Sequence, residues 1–271
     1  MAMDIVSIPY SYMTSWFQTL RQSKEFGRVE RYVMFIGYPR SAHTLVGFLI
    51  DAHPNAIVAS QISGLKYLKH GFSNRQIFYV LLQNSRRVAR VGREWRPYSY
   101  AVPNQWQGRF DKLKVIGDCT GMTRLRRNPA QLRSLQSALG SIKLNLIHCI
   151  RNPYDNISTM RMRSQRTLEE AVDAYFSMCG TVEQIKSQFG ASVYDLRHEL
   201  LVGDPAGTLK DLCSFLGLSA SETYYQNCAG IVHKSPHKTR TEVTWNPELI
   251  DSVKSQMSRF SFLSGYSYDG V

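Results

Sequence analysis

The chain has 271 residues, 43% of them hydrophobic, enough for one substantial core, and no repeat, low-complexity tract or linker divides it. Its 33 basic and 21 acidic side chains give a net charge of +12, so the surface attracts anions at long range. Five cysteines without a Cys-x-x-Cys pair cannot all be bridged, which argues for a reducing compartment and against a zinc site.

No apolar run is long enough to span a bilayer. The start of the chain lacks the charged end and unbroken apolar core of a signal peptide. A soluble cytoplasmic protein is expected. Residues 1–30 read as an aromatic-rich segment, of which Ile5 to Leu20 packs on the domain or on a partner.

From Tyr32 to Leu49 (YVMFIGYPRSAHTLVGFL) an apolar run ends in Tyr-Pro-Arg-Ser-Ala-His-Thr and resumes with helical spacing. That pattern is a strand, a tight loop and the start of a buried helix. The first N–H groups of such a helix have no internal acceptor, and with the helix dipole they suit an anion. Arg40, His43 and Thr44 add side-chain donors, so a phosphate or sulfate is the natural occupant; the plainer reading is an ordinary strand-to-helix connection.

Ser73 to Gln107, rich in arginine and aromatic residues, reads as an excursion over the substrate side. Leu113 to Gly117 is a short buried strand, and Asn128-Pro129 opens a helix that Gly140 ends. Lys143 to Thr159 (KLNLIHCIRNPYDNIST) then repeats the first logic, a buried strand ending in Arg-Asn-Pro. Pro153 suits a first helical position and Asp155 a first turn. Arg151 falls at the carboxyl end of a strand, where open parallel sheets place their ligands. Thr159, eight residues on, lies about two helical turns along, so an arginine and a hydroxyl can converge on one phosphate.

Thr167 with Glu170 forms a capping box for a long helix ending near Gly190. Asp204-Pro205 opens another that closes at Gly217, and Asn246-Pro247 opens the last. Alternating strands and helices imply a single α/β domain over residues 1–271, with a central, mainly parallel sheet flanked by helices.

Together the two phosphate segments resemble the 5'-phosphosulfate-binding loop and the 3'-phosphate-binding motif of sulfotransferases that use 3'-phosphoadenosine 5'-phosphosulfate (PAPS). The family's first motif, roughly Tyr-Pro-Lys/Arg-Ser-Gly-Thr-Thr, is matched by Tyr38, Pro39, Arg40, Ser41 and Thr44. Its second, Arg-Asn/Asp-Pro-x-Asp-x-x-x-Ser, is matched by Arg151, Asn152, Pro153 and Asp155, with Thr159 at the serine. Arg197 to Leu218 is similar to the family's Tyr-Glu-Asp-Leu segment and following helix. The resemblance runs from about Arg31 to Tyr266, with the two phosphate motifs in the family's order at a spacing near 110 residues.

The resemblance implies a P-loop-like phosphosulfate-binding loop after the first strand, PAPS as donor, PAP (3'-phosphoadenosine 5'-phosphate) as product and no metal. Arg40 would stabilise charge on the leaving oxygens, since guanidinium stays charged and holds two oxygens at once. Thr44 and the backbone N–H groups of Ser41, Ala42, His43, Thr44 and Leu45 would hold the 5'-phosphate. Arg151 and Thr159, with Ser158 as the neighbouring alternative, would hold the 3'-phosphate, and Lys238 and Arg240 resemble a late basic loop that covers it. His198 stands where the third segment usually has tyrosine.

Departures from the pattern are informative. Ala42 replaces the usual glycine, so a positive φ there would carry strain, and His43 replaces a small hydroxylated residue. For the acceptor's proton, neither location used by the family supplies its residue: one reads Gly117-Asp118-Cys119-Thr120, the other Ser60-Gln61. Asp118 is the first substitute, His53 the second, and His43 a residue that would touch the sulfuryl group. The expected acceptor is a hydroxyl or nitrogen of a small intracellular metabolite or natural product.

Three alternatives stand beside this reading. Gly37 to Thr44 has the register of a kinase P-loop, but Ala42 stands at its second glycine and His43 at its lysine. A nucleotide-binding protein that lost its base is the second. Nucleic acid is the third: arginines at 86, 87, 90, 93 and 96, at 124, 126 and 127, and at 161, 163 and 166 could form a backbone-binding stripe. No nucleic-acid module or stacking motif accompanies them, so nucleic acid is not the expected partner.

Overall fold

In β1 (Arg31–Gly37) successive side chains enter opposite cores. Tyr32, Met34 and Ile36 join one apolar cluster, while Val33 and Phe35 join another. A strand buried on both faces belongs in the middle of a parallel sheet, and the computed structural model, which describes residues 8–21, 23–95, 98–120, 125 and 128–270, puts it there.

After α1 (Ile8–Arg21) and α2 (Ser23–Phe26), β1 leads through α3 (His43–Asp51) to β2 (Ala56–Ala59). Two helices, α4 (Gly64–Lys69) and α5 (Asn74–Arg90), and a hairpin of β3 (Glu94–Trp95) and β4 (Tyr98–Ser99) precede β5 (Val115–Asp118). Helix α6 (Gln131–Leu139) connects to β6 (Lys143–Ile150), and α7 (Pro153–Met162) and α8 (Leu168–Phe189) connect to β7 (Val193–Arg197). The chain closes with α9 (His198–Gly203), α10 (Pro205–Phe215), α11 (Glu222–Ala229) and α12 (Pro247–Met257).

The five-stranded sheet has the order β2-β5-β1-β6-β7, with every pairing parallel. Helices α5, α6, α7, α8 and α12 share the core on one face, and α3, α10 and α11 that on the other. Thus the helices that follow the adjacent strands β1 and β6 leave to opposite faces. That is a topological switch point, where open α/β sheets form a crevice at the carboxyl ends of their strands. Gly37 pairs with Cys149 across β1 and β6, so the loop after β1 meets Arg151.

The predicted caps are present: Thr167 and Glu170 close a capping box at α8, and Asp204 and Asn246 cap α10 and α12 through side-chain oxygens. The stretch 73–107 divides in a way its composition does not reveal. Residues 74–90 are a helix of the core, capped by Ser73, with Ile77, Phe78, Leu81 and Leu82 buried, so only the hairpin and its flanks are free to lie over the site. Residues 1–7, Arg96, Arg124, Arg126 and Arg127 lie outside the described residues. All five cysteines are buried free thiols, and burial pushes the Cys119 thiol up to about 12.

Candidate active site

The loop between β1 and α3 is held by its own ends. Ser41, buried, donates its hydroxyl to the Tyr38 carbonyl at 2.8 Å, and Asn156 of α7 donates to the Pro39 carbonyl at 2.9 Å. Turning from strand to helix within these residues puts Arg40 at φ 69° and Ala42 at φ 71°. Each left-handed non-glycine residue costs about 1–2 kcal/mol, so the methyl of Ala42 is strained at the position where the resemblance has glycine. Ala42 is also the N-cap of α3 and offers no side-chain cap. The N–H groups of His43, Thr44 and Leu45 therefore have neither a capping side chain nor an intrahelical acceptor.

Arg40 is exposed at the tip of this loop, with Ala42, His43 and Thr44 half-buried behind it, while the Leu45 side chain belongs to the core. Burial first, and the positive charge of Arg40 second, push the His43 pKa down to about 4. His43 is thus neutral at pH 7.

The segment after β6 supplies the second half. Arg151, 8% exposed, donates from Nη1 to the Thr159 hydroxyl at 3.2 Å and to the Arg40 carbonyl at 3.4 Å. From Nη2 it donates to the Thr239 hydroxyl at 2.9 Å and to the His237 carbonyl. Its Nε is buried without a partner. A guanidinium, two hydroxyls and the loop between β1 and α3 therefore meet at one place, and the orphaned Nε is a charged donor left for an anion. The site fits a nucleotide with two separate phosphate groups.

Thr239 is the residue sequence reasoning missed. It lies 88 positions from Arg151 in a segment without apolar period, and only its place between Lys238 and Arg240 hinted at it. Of that late basic loop, Lys238 is exposed. Arg240 is buried and turned inward: its Nη1 pairs with Asp155 Oδ2 at 3.0 Å, and its backbone N–H donates to Asp155 Oδ1 at 2.9 Å. Arg240 therefore pins the loop to α7, and the expectation that it covers a phosphate gives way to this anchoring role.

Three further expectations change for physical reasons. Ser158 is fully buried and accepts from Trp245 Nε1 at 3.1 Å, which takes it out of the Arg151 cluster and leaves Thr159 there. Asp118 is also fully buried. Its Oδ2 accepts from the Tyr32 hydroxyl at 2.9 Å and from Gly64 N–H at 3.0 Å, and its Oδ1 accepts from Thr120 N–H at 3.3 Å. Oδ2 holds β5 to β1 and α4 while Oδ1 turns back to the next residues of its own segment, so both oxygens are committed and buried away from an acceptor. His53 lies beyond the far end of α3, near the amino-terminal edge of the sheet. With its nitrogens committed to Ser219 O (3.1 Å) and Asn55 N–H (2.9 Å), it is structural.

His198 opens α9 close to Arg151. Burial, then the charges of Arg151 and His233, push its pKa down to about 4, and its Nδ1 is buried without a partner. Neighbouring Glu199 accepts from Asn152 N–H at 2.8 Å and from the Tyr266 hydroxyl at 2.7 Å, fixing the Arg-Asn-Pro turn. Tyr98 of the hairpin stands edge-on to His233 at 5.7 Å, so the β3–β4 region flanks this end of the crevice. Beneath the loop, Tyr38 stacks on Tyr175 at 4.3 Å and meets His148 Nε2 at 3.3 Å, while His148 Nδ1 meets Asp195 at 2.9 Å.

No family model and no curated protein matches the sequence. Among solved structures the chain is similar to the sulfotransferase STF9 from Mycobacterium avium, at 8% identity and a TM-score of 0.55 over 99% of this chain and 86% of that one. It is similar to mouse sulfotransferase SULT7A1 complexed with PAP, at 12% identity and a TM-score of 0.51 over 85% of this chain and 84% of that one. A sulfotransferase domain from the curacin biosynthetic pathway gives 13% identity and a TM-score of 0.50 over 85% and 98%. The chain has the sulfotransferase fold. At these identities the likeness speaks for architecture, and function has to be argued from the site.

Proposed function

We propose that this protein is a sulfotransferase that moves the sulfuryl group of PAPS to a hydroxyl or nitrogen of a small-molecule acceptor. The observation that carries the reading is the convergence of Arg151 with Thr159 and Thr239 at 3.2 and 2.9 Å, beside a strained loop whose Arg40 is exposed. Two anion-binding elements at one crevice suit a nucleotide that carries a 3'-phosphate as well as a 5'-phosphosulfate.

In this reading the N–H groups at the start of α3 and the Thr44 hydroxyl hold the 5'-phosphate, and Arg151, Thr159 and Thr239 hold the 3'-phosphate. As the acceptor attacks sulfur in line with the leaving oxygen, charge grows on the phosphate side, where Arg40 stabilises it. The work of the protein is placement and charge stabilisation. His43 is neutral at pH 7 and borders the same loop, where it can meet the sulfuryl group, while Asp118 and His53 are committed to structural hydrogen bonds. A phosphoryl-transfer reading would put His43 where a kinase keeps its lysine, and Asp118, tied to Tyr32 and Gly64, where a metal-holding carboxylate belongs.

The test is incubation with PAPS and a panel of phenols, alcohols and amines, following release of PAP. Arg40→Ala should lower turnover more than donor affinity, whereas near-wild-type turnover in that variant would remove Arg40 from the mechanism.

A further inference from the structure

Helix α1 sits on the domain the wrong way round for a core helix. Beside Ile8 and Tyr12, which pack on the core and on Phe72, its inward side carries small hydroxyl residues: Ser15 and Thr19 are 0% and 9% exposed, and each satisfies its hydroxyl on a carbonyl one turn back, Tyr12 and Trp16. Gln76 of α5 locks that side by donating to Ser15 Oγ at 3.2 Å and to the Tyr12 carbonyl at 3.3 Å. Tyr10, Met13, Trp16 and Phe17 are left 62%, 57%, 52% and 57% exposed. Their spacing gathers them on one flank of the helix. Scattered exposed apolar residues need no explanation, but a contiguous aromatic and thioether flank on a helix whose polar side is buried does.

The charge around it selects the partner. Helix α1 contains no carboxylate, and from Ala52 to Arg93 the sequence has no Asp or Glu but has Lys66, Lys69, Arg75, Arg86, Arg87, Arg90 and Arg93. Of these only Arg93 is buried, paired with Asp51. Lys66 and Lys69 end α4 and Arg75 begins α5, and between them Phe72 is in edge contact with Tyr12 of α1 at 5.0 Å. A basic rim thus borders the aromatic flank. A second copy of this chain would bring a net charge of +12 against +12, which opposes self-association.

We infer that the exposed flank of α1, with the basic rim of α4 and α5, is a docking surface for an anionic lipid bilayer. Tyr10, Met13, Trp16 and Phe17 enter the headgroup region while Lys66, Lys69 and Arg75 meet lipid phosphates. Among the described residues no helix is long and apolar enough to cross a membrane, so the seat is interfacial.

The test is co-sedimentation of the full chain with vesicles of phosphatidylcholine alone and with about one-third phosphatidylserine. Binding to the anionic vesicles, weak or absent on phosphatidylcholine and reduced by salt, is the expected result. Met13→Glu/Phe17→Glu should weaken it by about tenfold or more. Lys66→Gln/Lys69→Gln/Arg75→Gln should weaken it by roughly a hundredfold, at about fivefold per lost charge. The substituted groups are at least partly exposed, so unchanged urea midpoints establish that both variants fold. Absence of binding would overturn the inference. So would binding that survives Met13→Glu/Phe17→Glu, which would mark a purely electrostatic surface equally suited to nucleic acid. A dimer in velocity sedimentation that the same variant dissociates would assign the flank to self-association.

Discussion

Asp155→Asn tests the link between folding and the candidate site. Asp155 and Arg240 are 4% and 5% exposed at their side chains and 3.0 Å apart, and the same carboxylate holds the Arg240 backbone N–H. Asparagine can keep the backbone bond but leaves a buried guanidinium whose other acceptor is the Gly270 carbonyl at 3.0 Å. An uncompensated buried charge costs about 3–5 kcal/mol, a large part of a typical total of about 5–15 kcal/mol. Urea unfolding followed by circular dichroism reads this directly. In Asp155→Asn/Arg240→Met both charges are gone, so the double variant should be at least about 1 kcal/mol more stable than Asp155→Asn alone. Thr239 adjoins Arg240, so the single variant should also bind PAP more weakly. A loss below about 1 kcal/mol in Asp155→Asn, or single costs that simply add in the double variant, would mean that Asp155 and Arg240 are not coupled as a buried ion pair.

Ala42→Gly should raise stability by about 1 kcal/mol by relieving the left-handed backbone; a lower urea midpoint would contradict the strain. Thr159→Val should weaken PAP binding about tenfold in a titration, whereas Ser158→Ala should leave affinity nearly unchanged and cost about 1–2 kcal/mol through the orphaned Trp245 N–H. His43, His53 and His198 are each held at about 4 against 6.5 for the free side chain. The unfolded chain therefore binds more protons between those values, and the stability these groups contribute is complete above about pH 6.5 and lost as pH falls towards 4. Between pH 7 and 5 each should cost about 2 kcal/mol, partly offset by Asp51 and Asp118, whose raised pKa values act in the opposite direction. Urea midpoints at the two pH values measure the sum, and His53→Gln should reduce the dependence; a protein equally stable at both would contradict it.

The parts that were legible in the sequence are local. Strand, loop and helix from Arg31 to Asp51 follow from an apolar run, a Tyr-Pro turn and a return of apolar period, and Pro153 and Asp155 mark the start of α7 for the same kind of reason. The meeting of Arg151 with Thr159 is local too, because the cap at Asn152 and the first two turns of α7 fix it. What stayed hidden depends on packing between distant segments. Thr239 reaches Arg151 only because Arg240 is drawn into Asp155. Ser158 and Thr159 are adjacent hydroxyls in sequence, and only the position of Trp245 decides which faces the core. Asp118 ends a strand, as a base in this crevice would, yet Tyr32 and Gly64 close over it from β1 and α4. The arginine-rich composition of 73–107 concealed the apolar stripe of α5, whose buried residues alternate with exposed basic ones at helical period.

The most direct test of the account is a metal-free calorimetric titration with PAP, run beside magnesium-ATP at fixed salt, for the wild-type chain and for Arg151→Ala. PAP binding should exceed that of ATP and fall about tenfold or more when the guanidinium is removed, since its positive charge and its one unpartnered donor, Nε, disappear together. A preference for magnesium-ATP, or PAP binding indifferent to Arg151, would contradict the claim that this crevice is a PAPS site.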